Sequence, residues 1–145
     1  MKSFFEDKFE FDFRANDTWI QHLSELDERP GFVEKSMAHI INVHHIWVSR
    51  LSQIAVESGS WDALPSMHWI SLNQDNFRKT IAFLEHEELT RKIYYHDEEG
   101  VPMEKSTSDV LYHILSHSQY HRAQIVMSLK QHDLPVPSMN FVVYR

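Results

Sequence analysis

The sequence predicts an all-α protein folded as a four-helix bundle, and three observations carry that expectation. Turn-forming residues are scarce, with three Gly and five Pro in 145 residues, under half the share usual in globular chains. The elements must therefore be long. Those breakers cluster at Pro30-Gly31, Gly59 to Pro65, Gly100 to Pro102 and Pro135 to Pro137, leaving four stretches of about 30 residues, each with room for a helix of about 20. Within the stretches apolar residues recur at three-to-four spacing, the period of a helix buried along one face. The length suits a single domain over residues 1–145, able to bury roughly two-thirds of the surface its unfolded chain exposes.

In the first stretch Phe5, Phe9, Phe13, Ile20 and Leu23 keep helical spacing. Phe9-Glu10-Phe11-Asp12-Phe13 also alternates like a strand, but the longer period continues past it and predicts helix. Ile40, Val43, Trp47, Leu51 and Ile54 form one stripe in the second stretch, and Ile70, Phe77, Ile81 and Leu84 a less regular one in the third. Between the third and fourth, Lys92 to Tyr95 and Val101 to Met103 flank Asp97-Glu98-Glu99-Gly100, a pattern for a short β-hairpin. The fourth helix opens at Ser106-Thr107-Ser108-Asp109, which resembles a capping box, and runs through Val110, Leu111, Ile114, Leu115, Ile125, Val126 and Leu129. The tail from Pro135, with Phe141-Val142-Val143-Tyr144, reads as an extended segment lying on the bundle or at a subunit contact.

Composition removes several function classes. Cysteine is absent, so disulfides, Cys-ligated zinc, iron–sulfur clusters and thiolate nucleophiles are excluded and any metal must use His, Asp or Glu. Fourteen Lys and Arg against 21 Asp and Glu give a net charge of −7, which repels a phosphate backbone and argues against a nucleic-acid partner. The longest uncharged run, Ser36 to Ser49, contains three histidines and falls short of the ~20 apolar residues of a membrane helix. The N-terminus meets acidic residues before any apolar signal core, so a soluble, cytoplasmic protein is expected. Asn16-Asp17-Thr18 matches a glycosylation acceptor, which has no meaning without secretion.

Eleven histidines stand in this acidic chain, and six fall in two short windows: His39, His44, His45 and His113, His117, His121. Imidazole suits zinc, nickel, copper and ferrous iron, and three imidazoles with an open coordination position make a catalytic site. A spacing of four turns a helix by about 400°, so successive histidines in LYHILSHSQYH differ by about 40° and can share one ion. Measured from the apolar axis of that helix, His121 lies about 55° away, His117 about 95° and His113 about 135°, making His113 the weakest ligand candidate. On the second helix His39 lies about 80° from the axis and His44 about 60°, with His45 on the opposite, solvated side, so geometry slightly favours His44 over His39. His22, His68, His86, His96 and His132 read as ordinary surface or hydrogen-bonded residues. Competing motifs fail: His86-Glu87-Glu88-Leu89-Thr90 lacks the second His of HExxH, and Phe83 and Val110 stand where a di-iron bundle needs Glu. No GxGxxG, GKS/T or GxSxG element occurs.

The segments Met37-Ala38-His39-Ile40-Ile41-Asn42-Val43-His44-His45-Ile46-Trp47, followed by Arg50, and His113 to Ile125, with HSQYHRAQI inside it, resemble the DinB/YfiT-like superfamily of small metalloenzymes. Ala123 replaces the Gly common in that family, a change that favours helix. The resemblance implies an up-down-down-up bundle with a divalent metal held by one His of the second helix and an HxxxH pair of the last. By position these are His39, His117 and His121, with zinc or nickel as the first expectation and iron or manganese behind them. It also implies a homodimer and, from those relatives that transfer or isomerise through bacillithiol, mycothiol or glutathione, an enzyme acting on a small-molecule substrate with a low-molecular-weight thiol. Lacking cysteine, this chain would take that thiol from outside. Hydrolysis through metal-activated water is the second option, and a non-enzymatic metal-binding or interaction bundle is the rival from another class. Glu34, His44, His113, Tyr120 and Arg122 are the acid–base candidates near the site in sequence, and Arg50 and Arg122 suit an anionic substrate.

Overall fold

The computed structural model describes residues 1–144. Helix α1 spans Lys2–Ser24, α2 Gly31–Leu51, α3 Trp69–His86 and α4 Thr107–Gln131, with strands β1 (Lys92–His96) and β2 (Pro102–Ser106) between the last two helices. The strands pair antiparallel in the register Lys92↔Ser106 to His96↔Pro102. Their turn is closed by Asp97, whose Oδ1 accepts from the backbone N–H groups of Glu99 and Val101, and by Gly100 at φ +79°, a conformation open to glycine at no steric cost.

Two apolar clusters fix the helix directions. At one end Phe5 and Phe9 of α1 meet Leu51 of α2, Phe83 and Leu84 of α3, and Val110, Leu111 and Ile114 of α4. At the other, Trp19, Ile20 and Leu23 meet Val33, Met37 and Ile40, Trp69, and Ile125 and Leu129. The start of α1 thus lies with the ends of α2 and α3 and the start of α4, which is an up-down-down-up bundle. Hydrogen bonds from Asn76 Nδ2 to the Ile41 carbonyl and between His44 and Thr80 step forward along both α2 and α3, as parallel neighbours require. Parallel neighbours need a long return, and residues 52–68 supply it.

Helix ends follow local chemistry. Ser106 caps α4: its Oγ accepts from Asp109 N–H at 3.1 Å, and Asp109 Oδ2 accepts from Ser106 N–H at 3.4 Å, a complete capping box. Both α2 and α4 stop in Schellman turns built on non-glycine residues, Gln53 at φ 58° and Asp133 at φ 55°. Ile54 N–H returns to Ser49 O, and Leu134 N–H to Leu129 O.

Several sequence expectations need correction. Ile54 does not extend the α2 stripe; it lies beyond the helix and is 56% exposed. On α3 Ile70 is exposed, while Trp69, Asn73, Asn76, Thr80, Phe83 and Leu84 are buried, because the helix turns a polar row inward. The Phe141–Val143 part of the tail forms a 3-10 turn where an extended segment was expected, and it lies on the bundle with the Phe141 and Tyr144 rings edge-on to Phe11. Asn16 is buried in the bundle. No described helix is long and apolar enough to cross a membrane.

Candidate metal centre

Antiparallel packing of α2 on α4 sets His39 opposite the one-turn pair His117 and His121. The ring centroids lie 4.8 Å (His39–His117), 4.5 Å (His39–His121) and 4.4 Å (His117–His121) apart, and one nitrogen from each falls within 4.8 Å of the others. The shortest approach is 3.0 Å, between Nε2 of His39 and Nε2 of His117. Tetrahedral nitrogen ligands at zinc bond lengths stand about 3.3 Å apart, so that pair is already near coordinating distance.

The tautomer of His39 follows from its partner. Its Nδ1 lies 2.8 Å from the Ser60 carbonyl oxygen, which can only accept, so Nδ1 carries the hydrogen and Nε2 presents a lone pair to His117. Trp61 stacks on the other face of the same ring at 3.6 Å and 6°, fixing its plane. Burial and the neighbouring imidazoles push His117 down to about 3, and burial lowers His39 and His121 as well. All three are therefore neutral at pH 7, the form that binds metal. His121 Nδ1 is buried without a hydrogen-bond partner, a cost that coordination would relieve. The donor set, the neutral state and the orphaned nitrogen together fit a divalent ion.

His39 and His117 of this centre line one wall of a cleft of about 660 Å³ that reaches across to Trp47, Arg50, Tyr95 and His113. The DinB family matches the sequence over residues 14–145. The chain belongs to the DinB family. No curated protein matches it.

In this DinB protein the remaining histidines separate by environment. His44, which helix geometry slightly favoured, faces α3: its Nε2 sits 2.8 Å from Thr80 Oγ1, and burial lowers it to about 4. His45 is half-buried beside α3, not solvated, and its Nδ1 lacks a partner. His113 is exposed on the cleft wall, edge-on to Trp47 at 5.3 Å. His96, read from sequence as an ordinary surface residue, also borders the cleft.

Of the five acid–base candidates only His113 lines the cleft. Glu34 pairs with Arg29 at 3.4 Å, and Tyr120 is exposed with its ring edge-on to His121. Arg122 is buried against Asp12 at 2.6 Å and also donates to Asn16 and Ser118, an internal ion pair that removes it from any substrate role. Sequence reasoning missed Ser60 and Trp61. They lie in the return between α2 and α3, where neither periodicity nor a motif marks them, and only the packed fold brings them to His39.

Proposed function

We propose that this chain is a divalent-metal-dependent enzyme of the DinB family in which His39, His117 and His121 hold the ion, with zinc or nickel as first candidates and iron or manganese next. The observation that carries the reading is the convergence of three neutral imidazoles from two helices on one point beside an open cleft. Such an ion lowers the pKa of a coordinated thiol or water, which suits transfer of a low-molecular-weight thiol to an electrophile, or hydrolysis. The chain's own groups prepare that chemistry. Ser60 O fixes the proton of His39 on Nδ1, Trp61 holds the ring, and burial keeps His117 unprotonated. On the cleft wall, His113 is placed to take up or return a proton during turnover. A cytoplasmic homodimer, joined through exposed aromatics such as Tyr112 and Tyr120 on α4, belongs to the same proposal.

The test is metal content per chain by elemental mass spectrometry on tag-free protein, beside a His39→Ala/His117→Ala/His121→Ala variant. About one divalent ion per chain, lost in the variant together with metal-dependent thiol transfer or hydrolysis, is the expected result. Absence of bound metal in wild type after incubation with zinc, nickel, iron and manganese would overturn the reading.

A further inference from the structure

Four of the described arginines are paired with carboxylates: Arg29 with Glu34, Arg78 with Asp75, Arg91 with Glu87 and Arg122 with Asp12. Arg14 is exposed. Arg50 is different. It is half-buried at the end of α2 and forms neither an ion pair nor a side-chain hydrogen bond among the described residues. Its guanidinium carbon lies 4.6 Å from the Trp47 ring centroid and 5.3 Å from that of Tyr95.

The two rings are themselves fixed. Trp47 and Tyr95 meet edge-on at 5.0 Å and both pack on the apolar cluster at that end of the bundle. Aromatic rings engage the guanidinium through their π-faces and leave its N–H groups unspent. Among the described residues lining the cleft, Arg50 is the only Lys or Arg, and His39 and His117 line the same cleft. Two acidic residues, Asp97 and Glu98, line the cleft as well, and Asp97 has Oδ1 engaged in the hairpin turn. Val43, Ile46 and Val56 add apolar wall.

We propose that Arg50 is a carboxylate-binding subsite, so that the cleft takes a small organic acid with its carboxylate on Arg50 and its apolar body along the Val43, Ile46 and Val56 wall. The reacting end then lies toward His39 and His117. This specificity rests on the reading of the cleft as the substrate side of the metal centre, but the binding event itself needs no metal. A guanidinium fork held in place loses little freedom when a carboxylate arrives, which favours bidentate pairing.

The test uses metal-free protein in EDTA, with hexanoate as probe and hexanol as its uncharged counterpart, followed by NMR of arginine Nε–H and backbone amide resonances. Hexanoate should shift the Arg50 Nε–H signal saturably, with hexanol leaving it in place. Arg50→Gln should weaken hexanoate binding by roughly tenfold or more, and Arg50→Lys, which keeps the charge and loses the fork, should fall between them. An unchanged amide spectrum away from the cleft checks that both variants fold. Equal hexanoate affinity in Arg50→Gln and wild type, or equal binding of hexanol and hexanoate, would overturn the subsite. Arg50-dependent hexanoate binding in a protein that takes up no metal sinks the metal reading alone, whereas stoichiometric metal with hexanoate indifferent to Arg50 sinks the subsite alone.

Discussion

Replacing His44 by Gln should make folding less sensitive to acid, by an amount the structure sets. His44 is buried, and its Nε2–H donates to Thr80 Oγ1, whose own hydrogen goes to the Asn76 carbonyl. Desolvation lowers its pKa from 6.5 to about 4. Above pH 6.5 the imidazole is neutral whether folded or unfolded and adds no pH dependence. Below 6.5 the unfolded chain takes up a proton that the folded chain refuses, so stability falls with pH until the folded form also protonates near 4. At about 1.36 kcal/mol per pH unit, the loss approaches roughly 2 kcal/mol at pH 5 and ~3 kcal/mol at the floor. Glutamine reaches the same position with a non-titrating N–H donor. Urea denaturation of both proteins in EDTA at pH 7, 6 and 5 is the assay. Every other histidine is common to the two proteins, so the difference between the two curves isolates His44. The gap should shift by about 2 kcal/mol in favour of the variant between pH 7 and 5. Parallel pH profiles would refute the claim that His44 is held neutral by burial.

Four further outcomes are expected. Arg122→Met strands the buried Asp12 carboxylate and should cost about 3–5 kcal/mol, much of it recovered in the Asp12→Leu/Arg122→Met double variant, by chemical denaturation. Ser106→Ala removes the cap of α4 and should cost about 1 kcal/mol, seen as a lower urea midpoint with unchanged slope. Gln53→Gly relieves a left-handed residue at the end of α2 and should gain about 0.5 kcal/mol. Trp61→Ala frees the face of His39 and should weaken zinc binding by roughly tenfold, with Trp61→Phe close to wild type in the same calorimetric titration.

What the sequence disclosed was whatever leaves a periodic or local mark. Helix α4 shows its cap and its apolar spacing in consecutive residues, and the breakers at Pro30-Gly31 and Gly100 to Pro102 bracket real connections. The HxxxH pair is legible for the same reason, since one helical turn joins His117 to His121. The end of α2 was not, because a Schellman turn on Gln53 carries no glycine signal. Helix α3 misled because Asn73, Asn76 and Thr80 occupy inward positions, so apolar periodicity alone pointed at Ile70. The choice between His39 and His44 lay beyond helix angles, since both flank the same stripe and differ only in which neighbour they face: α4 for His39, α3 for His44.

The inward polar residues form a pattern that helps explain how the centre is tolerated. The two apolar clusters occupy opposite ends of the bundle, and between them every helix contributes buried polar groups: Asp12 and Asn16 from α1, His39 and His44 from α2, Asn73, Asn76 and Thr80 from α3, and Ser118, His121 and Arg122 from α4. Most satisfy one another. Asn16 bonds to Asp12, Asn73 and Arg122, and Thr80 to His44 and Asn76. A buried polar layer is sustained when its members are hydrogen-bonded and the surrounding packing supplies the stability. At the edge of this one, where α2 meets α4, the imidazole pairing is incomplete and His121 Nδ1 is left over. The long return forced by parallel α2 and α3 then passes over that edge and brings Ser60 and Trp61 onto His39. The helix order therefore places the three imidazoles and also provides the segment that orients one of them.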